Sequence, residues 1–597
     1  MRSRLFTIFL FASLFLFPKH NIFALQEFST TLTSTYSLNS LGTTLVRNEI
    51  RIKNNFSTLY STQYALEVSS TSLRSIRAYT EGQKDIPVHV TKTDTKTTIA
   101  LVFSDKIIGK DKERIFFIDY EHPDAAVIVG KTLEIDIPKL AKEDQFHSYI
   151  VKIEVPVQFG NPSAAAPQTY TIKTTEAANI FTFTQGIQQG INMLFGEAQE
   201  YSFTLKYHLS NPSISRGVSQ IALPPETPYQ HVIFSSIYPK PDLIQEDEDG
   251  NWIATFTVDS QKEALITVQG SVRVSLKPSK DFPIQKPPTS YLSEPPYWEV
   301  QSDEVQRLAK QLKTPQAIYE YLVQTFTYDY ERLRQSDANR RGAVSALAAP
   351  AQALCQEFTD TFIAIARAAG IPARELNGFA YTENPRLRPL SLVGDLLHAW
   401  PEYYDESKKM WIPIDPTWGN TTRGVDFFSK LDMNHIVFAI HGISSEKPFA
   451  AGMYKITGKE EKDVEVKVQR AVESPQFAVN LTAPTFFQSN EITIENLTGM
   501  AWYDVPVQID ASASLSLIQP KRRVVSLLPY QKTTVKIPVG SSTIFTQQKG
   551  TITVKVGNEE LRYETTAGQI NPAVAVGVGL GLCALIAGCI LVFRRQR

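Results

Sequence analysis

One cysteine stands where a helix should begin, and its position favours nucleophilic chemistry. The chain has three cysteines, and Cys355 alone lies outside the apolar C-terminal run that contains Cys583 and Cys589. The stretch from Cys355 to Gly370 repeats apolar residues at helical spacing and ends in glycine, which is typical of a helix and its C-cap. Cys355 therefore falls in the first helical turn, where the helix dipole favours the thiolate form.

A partner for this thiol is offered by residues 396–420, whose pattern is typical of two strands joined by a tight turn. If Tyr404 pairs with Lys409 across the turn, His398 lies directly opposite Asp415, with Cβ atoms ~5 Å apart. A cysteine nucleophile needs a general base, and the base needs an acidic group that orients it. The spacing therefore predicts that His398 takes the proton of the thiol and that Asp415 orients the imidazole.

Three stretches, in this order and spacing, resemble the transglutaminase-like superfamily of papain-type folds. They are CQEFTDTFIAIARAAGIPAR at 355–374, HAWPEYY at 398–404 and WIPIDPT at 411–417. The resemblance covers roughly residues 300–445, about a quarter of the chain. It implies a nucleophile at Cys355, a general base at His398 and an acidic partner at Asp415. Residues 370–374 match the turn that follows the nucleophile helix in this family, which is a structural element.

The chain departs from the family pattern at two positions. The family often has glycine two residues before the cysteine, where this chain has Ala353 in the turn that feeds the helix. Animal enzymes usually have tryptophan after the cysteine and bind calcium, whereas this chain has Gln356 and lacks a recognisable calcium motif. We therefore carry over neither tryptophan oxyanion stabilisation nor calcium activation, and we assign no cofactor and no metal. The backbone N–H of Cys355 is the one oxyanion donor that the sequence identifies.

The elements that must position these residues belong to a multidomain chain. Alternating apolar and polar residues predict strands before residue 276 and after residue 470, and helical spacing replaces the alternation between them. The predicted fold class is two N-terminal β-sandwich-type domains, a central α+β transglutaminase-like domain and a C-terminal β-sandwich domain. The predicted parts are a β domain at 26–150, a β domain at 151–276, a proline-rich linker at 277–298, the catalytic domain at 299–445, a connector at 446–470 and a β-sandwich stalk at 471–567.

The two ends of the chain predict export and a membrane anchor. Residues 1–25 have a basic start, an apolar run and a small-residue cleavage site, as a signal peptide does. Residues 573–593 carry no charge and are long enough for one transmembrane helix, and the arginines in 594–597 should stay in the cytoplasm. Within the span, Gly577 and Gly581 favour weak self-association. We expect a single-pass cell-membrane protein whose ectodomain acts on surface or extracellular polypeptides.

The composition indicates which partners the protein can bind and how its domains are stabilised. The chain has 60 basic and 61 acidic residues, a net charge of −1, and no basic stripe stands out. We therefore expect no nucleic-acid partner. The predicted exported part has a single thiol and can form no internal disulfide, so its domains must be held together by their apolar cores.

The resemblance leaves the reaction open, because a fold does not select the acceptor. An acyl-enzyme formed from a glutamine carboxamide or a peptide bond can be resolved by a lysine amine, which gives a crosslink. Water resolves it by deamidation or proteolysis. We expect acyl transfer or hydrolysis at amide bonds, by a transglutaminase-like cysteine acyltransferase or a cysteine protease. The alternative is an inert adhesion or scaffold protein whose β domains do the binding.

Several other residues near the motifs receive a structural interpretation. We assign no role to His435, and we interpret Trp400 as a core residue of the sheet. Glu357 is interpreted as a solvated or structural carboxylate. The acidic residues at 246–249 lack the spacing of a calcium loop, so we interpret them as a solvated hairpin tip.

Overall fold

The computed structural model describes residues 27–567 with internal gaps. The gaps are at 41, 94–95, 139–145, 188–189, 280–281, 283–286, 288, 335–338, 383–387, 391–396, 423–424, 430, 455–461, 470–472, 485–490 and 542–547. The predicted signal peptide at 1–25 and the predicted transmembrane helix and tail at 573–597 lie outside the described residues. Within the described residues, no helix is long and apolar enough to cross a membrane. The described chain is mostly β, and the predicted α+β region in its centre is confirmed.

The N-terminal β domain is built around an eight-stranded sheet, whose strands alternate buried apolar and outward polar residues. Its strands are β1 (Phe28–Leu38), β2 (Thr44–Asn54), β3 (Gln63–Val68), β4 (Arg74–Thr80), β5 (Asp85–Ile86), β6 (Val88–Lys92), β7 (Thr97–Val102), β8 (Glu113–Glu121), β9 (Ala126–Val129), β10 (Thr132–Ile137), β11 (Ser148–Pro156), β12 (Ala164–Ala166), β13 (Thr171–Thr174), β14 (Ala178–Phe183) and β15 (Ile191–Phe195). The order in the large sheet is β13, β14, β11, β1, β2, β8, β4, β5. A single core of buried side chains runs from Leu32 to Phe195.

This sheet crosses the division that the sequence predicts near residue 150. β1 pairs in parallel with β11, with Thr31 opposite Ser148, and β11 pairs in turn with β14. The first β domain therefore continues to Phe195 in the structure, rather than ending at residue 150. The reason is that alternation of apolar residues marks a strand but does not determine which sheet the strand joins.

Two sheets share one core in the second β domain. Its strands are β16 (Ala198–Asn211), β17 (Gly217–Leu223), β18 (Gln230–Tyr238), β19 (Leu243–Glu246), β20 (Trp252–Val258) and β21 (Lys262–Ser275). β16 and β21 form a long antiparallel pair, from Ala198 opposite Ser275 to Asn211 opposite Lys262. Buried side chains from both sheets pack into one cluster, which stabilises the domain by removing apolar surface from water.

The central region places helices on one face of a four-stranded sheet. The helices are α1 (Asp303–Leu312), α2 (Pro315–Thr325), α3 (Tyr330–Leu333), α4 (Ala343–Ala348), α5 (Cys355–Ala368) and α6 (Pro416–Thr421), and the strands are β22 (Ala373–Ala380), β23 (His398–Asp405), β24 (Met410–Pro413) and β25 (His435–His441). The strand order is β24, β23, β22, β25. α2 begins as predicted, because the Thr314 side chain caps it and Pro315 takes its first position. After α5, Gly370 adopts a left-handed conformation (φ 81°), which its lack of a Cβ permits.

The other face of this sheet packs on the second β domain, whose side-chain amides close the outer edge of β25. Gln230 exchanges two hydrogen bonds with the backbone of Val437 (2.8 and 2.9 Å). Asn251 does the same with the backbone of Ile440 (2.7 and 2.8 Å). An unpaired buried edge would leave polar backbone groups without partners, so these amides hold the strand in place.

Residues 246–249 form the predicted hairpin tip between β19 and β20, where Glu246 and Glu248 are exposed, but Asp249 is buried in this contact. Asp249 is only 6% exposed, and its carboxylate accepts a hydrogen bond from the backbone N–H of Gly442 (3.0 Å). Tyr291, inside the predicted linker at 277–298, donates its hydroxyl to the same carboxylate and is buried. The C-terminal part of the predicted linker is therefore packed into the protein, because burial of large aromatic side chains is strongly favourable.

The predicted connector at 446–470 contributes a strand, and the C-terminal β domain follows it. β26 (Val464–Val468) pairs antiparallel with β16, with Tyr201 opposite Val468, so it extends the sheet of the second β domain. The C-terminal strands are β27 (Val479–Thr482), β28 (Glu491–Asn496), β29 (Trp502–Ala511), β30 (Leu515–Leu517), β31 (Arg522–Leu527), β32 (Lys532–Lys536), β33 (Val539–Ser541), β34 (Gln548–Val556) and β35 (Glu559–Ala567). They form sheets in the orders β27, β28, β32 and β31, β29, β34, β35, with β30 and β33 as a separate pair, around one apolar core.

Candidate active site

The cysteine that the sequence singles out is the first residue of α5. Cys355 is fully buried, and Leu354 is the N-cap residue before it. The Glu357 carboxylate accepts a hydrogen bond from the Leu354 N–H (2.9 Å), which fixes the chain where it enters the helix. Arg332 donates two hydrogen bonds to this carboxylate (2.8 and 3.0 Å), so Glu357 is a structural rather than a solvated group.

The candidate base begins β23, and the register of its hairpin differs from the predicted one. Tyr404 lies opposite Trp411 instead of Lys409. The turn therefore contains residues 406–409, and Lys409 takes a left-handed conformation (φ 53°). The Asp405 side chain accounts for the difference, because it accepts hydrogen bonds from two N–H groups of the turn (2.9 and 3.1 Å) and so moves the turn one residue along the chain.

Asp415 nevertheless meets His398, because it lies beyond the end of the strand and caps the next helix. Its Oδ1 accepts hydrogen bonds from the N–H groups of Thr417 (2.8 Å) and Trp418 (3.0 Å) at the start of α6. Its Oδ2 lies 2.9 Å from His398 Nε2, and both side chains are fully buried. The structure thus brings the predicted base and acid together through a helix cap and not through the predicted register.

The pKa values of His398 and Asp415 are both shifted by the charged groups around them. Burial would lower the pKa of His398, but the Asp415 carboxylate and then the Cys355 thiol outweigh burial, so the pKa is raised. Burial would raise the pKa of Asp415, but His398 and then His435 hold that pKa well below its usual range. Because Asp415 occupies Nε2, Nδ1 is the nitrogen that is left to accept the thiol proton.

Aromatic rings hold the imidazole of His398 between them. Trp400 stacks against it with ring centroids 5.7 Å apart, and Trp418 does so at 5.3 Å. Both indoles are buried, so Trp400 has the core environment that the sequence analysis expects for it. An apolar enclosure lowers the local dielectric constant and strengthens the electrostatic contact between His398 and Asp415.

A second histidine, to which the sequence analysis assigns no role, contacts the same carboxylate. His435 Nε2 lies 3.2 Å from Asp415 Oδ2, and His435 Nδ1 lies 2.7 Å from Asp432 Oδ1. Burial would lower the pKa of His435, but the Asp432 and Asp415 carboxylates outweigh burial and raise the pKa to about 9. The signal in the sequence is the spacing of Asp432 and His435, three residues apart at the start of a strand. That spacing does not reveal the contact with Asp415.

These side chains are also the group to consider for a metal ion. One ligand atom from each of His398, Asp415 and His435 lies within 4.8 Å of the others, a grouping found nowhere else in the part of the chain that the structure describes. Imidazole and carboxylate ligands suit a transition metal such as zinc. Each histidine Nε2 already bonds the carboxylate, however, so the three groups satisfy one another without an ion.

The arrangement has the parts that acyl chemistry needs. Cys355 stands at the N-terminal end of α5, where backbone N–H groups point out of the helix. His398 can accept the thiol proton and return it, and Asp415 keeps the ring oriented. Thr359, one turn into α5, donates its hydroxyl to the carbonyl of Ala399 (3.2 Å), which ties the helix to β23 next to the base.

A comparison with protein families matches the centre of the chain. Residues 301–416 match the family model of the transglutaminase-like superfamily. The matched range includes Cys355, His398 and Asp415. A search of curated proteins found no match to the chain.

Solved structures resemble parts of the chain at low sequence identity. A "putative cysteine protease" from Cytophaga hutchinsonii is 16% identical over 46% of this chain and 99% of its own, with a TM-score of 0.28. A "putative protease" from Parabacteroides distasonis is 9% identical over 68% of this chain and 72% of its own, with a TM-score of 0.20. A "putative nutrient binding protein" from Legionella pneumophila is 8% identical over 29% of this chain and 68% of its own, with a TM-score of 0.21. At these scores the likenesses carry no argument about activity.

Proposed function

We propose, from the premise that residues 301–416 form a transglutaminase-like core domain, that this protein is a thiol enzyme acting on amide bonds. In this proposal Cys355, His398 and Asp415 catalyse acyl transfer or hydrolysis at a protein glutamine or a peptide bond. The observation that carries the proposal is the buried 2.9 Å hydrogen bond between His398 and Asp415, next to a helix that begins at Cys355. Acyl transfer by a thiol requires such a set of nucleophile, base and orienting acid.

In the acylation step, His398 Nδ1 takes the thiol proton, and the sulfur of Cys355 attacks the amide carbon. The carbonyl oxygen becomes an oxyanion, for which the backbone N–H of Cys355 is the proposed donor. When the tetrahedral intermediate collapses, His398 gives the proton to the leaving nitrogen, which departs as ammonia or an amine. The product is a thioester on Cys355.

In the second step an acceptor resolves the thioester. His398 takes a proton from water or from a primary amine, which attacks the thioester carbon and releases the Cys355 thiol. Water gives the free acid, which is deamidation or proteolysis, and a lysine amine gives a crosslink. Asp415 stabilises the imidazolium form of His398 in both steps, because the Asp415 carboxyl stays ionised. Burial would raise the pKa of this carboxyl, but His398 and then His435 hold it well below its usual range.

The burial of Cys355 sets a condition on this chemistry. The residue is 0% exposed, so an acyl donor reaches the sulfur only when the side chains around it move apart. We therefore expect alkylation to depend on reagent size. Iodoacetamide should label Cys355 faster than its fluorescein conjugate, each rate being normalised to the rate with free cysteine. Equal normalised rates would contradict gated access.

We further propose that the enzyme works outside the cell membrane. The predicted signal peptide and the predicted membrane helix support an anchored ectodomain that meets surface or extracellular polypeptides. A protease added outside intact cells should then digest the ectodomain and leave a short fragment in the membrane fraction. Full protection until the cells are lysed would contradict this location.

The test of activity compares the full-length protein with Cys355→Ala. Each is incubated with a glutamine-containing protein and a labelled primary amine, and the products are followed by mass spectrometry. Amine incorporation that Cys355→Ala abolishes establishes a transferase, whereas deamidated or cleaved products that it abolishes establish a hydrolase. No product, together with a Cys355 thiol that resists alkylation at neutral pH, would overturn the proposal and favour an inert adhesion or scaffold protein.

A further inference from the structure

The carboxylate that orients the proposed base is shared between two histidines. Asp415 Oδ1 caps α6, and Asp415 Oδ2 contacts the Nε2 atoms of His398 (2.9 Å) and His435 (3.2 Å). The two imidazole centroids are 5.6 Å apart, and all three side chains are buried. A residue outside the proposed triad thus bonds the same oxygen on which the base depends.

His435 faces a carboxylate at each of its ring nitrogens. Its Nδ1 lies 2.7 Å from Asp432 Oδ1, and its Nε2 lies 3.2 Å from Asp415 Oδ2. A neutral imidazole has one N–H and cannot donate to both carboxylates, whereas the imidazolium has two. Burial lowers the pKa of His435, yet the two carboxylates raise it to about 9, which agrees with the geometry.

Further charges support this pair on the side away from the proposed base. Arg388 donates two hydrogen bonds to Glu134 of the N-terminal β domain (2.8 and 2.6 Å). Burial would raise the pKa of Asp432, but His435 and then Arg388 outweigh it and lower that pKa. Asp432 is therefore ionised at neutral pH and can keep the His435 ring charged.

We propose that His435 is a positioning residue, an imidazolium that Asp432 anchors and that holds the Asp415 carboxylate in place for the base. The inference rests on the proposed function, because it concerns the same site. Four hydrogen bonds from described residues reach the Asp415 carboxylate, and the loss of the one from His435 would let the carboxylate turn away from the base. The charge on His435 also opposes a positive charge on His398, which limits how far Asp415 raises the pKa of that ring.

Two amide variants separate positioning from packing. In His435→Gln the amide nitrogen can take the place of Nε2 and donate to Asp415, whereas in His435→Asn it can take the place of Nδ1 and donate to Asp432. His89→Gln is the control, because His89 is exposed on β6 of the N-terminal β domain, outside the transglutaminase-like core. The rate of Cys355 alkylation by iodoacetamide is measured in the full-length proteins from about pH 5 to about pH 10. Thermal unfolding checks that each variant is folded.

The two variants should differ in both rate and pH profile. His435→Asn should slow alkylation roughly tenfold or more at every pH, because the bond that steadies Asp415 is lost. His435→Gln should slow it less, roughly threefold, and should move the upper limb of the pH profile upward by about one unit, because a positive charge near His398 is gone. In the amide assay the loss should fall on kcat and not on KM. His89→Gln should leave the rate and the profile unchanged.

Asp432→Asn gives a second variant that keeps the His435 ring itself. Without the anchoring carboxylate, the ring should titrate near its ordinary pKa of about 6.5. Above about pH 7 the ring is then neutral, but it can keep its one N–H on Asp415, so the variant should resemble His435→Gln, with a modest loss of rate and an upward shift of the upper limb of the pH profile. A purely structural role for Asp432 would slow alkylation equally at every pH.

Three outcomes would overturn the inference. Rates that are reduced equally in His435→Gln and His435→Asn would mean that the ring serves only packing. Wild-type rates in both would mean that it does not support the triad. Inhibition of the wild type by stoichiometric Zn²⁺, absent in His435→Gln, would make the ring a metal ligand instead. An unreactive wild-type Cys355 would defeat the proposed function, and the inference with it, whereas a reactive thiol with any of the three outcomes would defeat the inference alone.

Discussion

The transglutaminase-like core contains buried ion pairs in addition to surface ones, whereas the ion pairs among the described residues of the C-terminal β domain lie at the surface. Arg332 and Glu357 have side chains that are 5% and 1% exposed, whereas Lys536 and Glu491 have side chains that are 79% and 33% exposed. Two buried charges lose their hydration, and the attraction between them often returns no more than that loss. Apolar side chains could replace these charges, so their presence in the core indicates that they position neighbouring elements of the fold.

The buried pairs of the core hold the elements that carry the proposed triad. Arg340 bonds Asp360 on α5 (3.0 Å) and Glu375 on β22 (2.7 Å), so the helix that begins with the thiol is tied to the sheet. Arg374 bonds Glu402 on β23, the strand that begins with the proposed base. The C-terminal domain has an apolar core and no comparable buried pair among its described residues. The buried charges of the core thus tie together the elements around the candidate site, whereas apolar burial stabilises the C-terminal domain.

The largest effect should come from Asp415→Asn. The amide keeps the size of the side chain and can still cap α6, but it carries no charge to stabilise the His398 imidazolium. We expect kcat in the amide assay to fall by roughly 10³- to 10⁴-fold, with little change in KM. Asp510→Asn, on an exposed position of β29, is the matched control in the C-terminal domain and should leave kcat unchanged. A loss of less than about tenfold would contradict the role of the acid.

Arg340→Met should have the largest effect on stability. The change removes the cation between Asp360 and Glu375 and leaves two buried carboxylates without it, while it keeps most of the side-chain volume. We expect the free energy of unfolding of the core to fall by ~3–5 kcal/mol in urea titrations. Adding Asp360→Asn and Glu375→Gln to the same variant should restore part of the loss. An equal free energy of unfolding in the single and the triple variant would show that the loss of stability does not come from unpaired buried charge.

Some elements of the site can be predicted from the sequence, and others cannot. α5 and its C-cap follow from local pattern, because helical spacing after Cys355 and the glycine at Gly370 are both local signals, and the structure has both. The strand of His398 follows from alternation. The contact of His398 with Asp415 is predicted from a hairpin register that the structure does not show, and it forms because Asp415 caps a helix.

Other features escape local patterns because they join distant parts of the chain. His435 meets Asp415 across the sheet, and Arg388 meets Glu134 at a sequence separation of 254 residues. Apolar periodicity predicts that such a position is buried, but it does not predict which charged partner is buried with it. The first β domain shows the same limit, because the strand after residue 147 alternates like its neighbours while its place in the sheet depends on a parallel pairing with β1.

The two regions should also differ in how their stability depends on pH. Because the folded pKa of His435, about 9, exceeds its unfolded value of 6.5, its stabilising contribution is complete below pH 6.5 and is lost as the pH rises through 9. Residues 471–567 of the C-terminal domain contain no histidine. Hydrogen exchange should therefore show the core losing protection in this window while the C-terminal domain stays constant. In His435→Gln the protection of the core should depend less on pH. An unchanged dependence on pH would mean that another group titrates in this window.

The smallest effect should come from the surface pair of the C-terminal domain. Lys536 lies opposite Glu491 on neighbouring strands, with Nζ 3.3 Å from the carboxylate, but the lysine side chain is 79% exposed. Water and salt screen such a pair, and ordering two long side chains offsets most of the remaining attraction. We expect Lys536→Met to leave the urea midpoint of this domain unchanged within error at both low and high salt. A loss at low salt that disappears at high salt would show that surface charges do stabilise this domain, and the contrast with the core would then be one of degree.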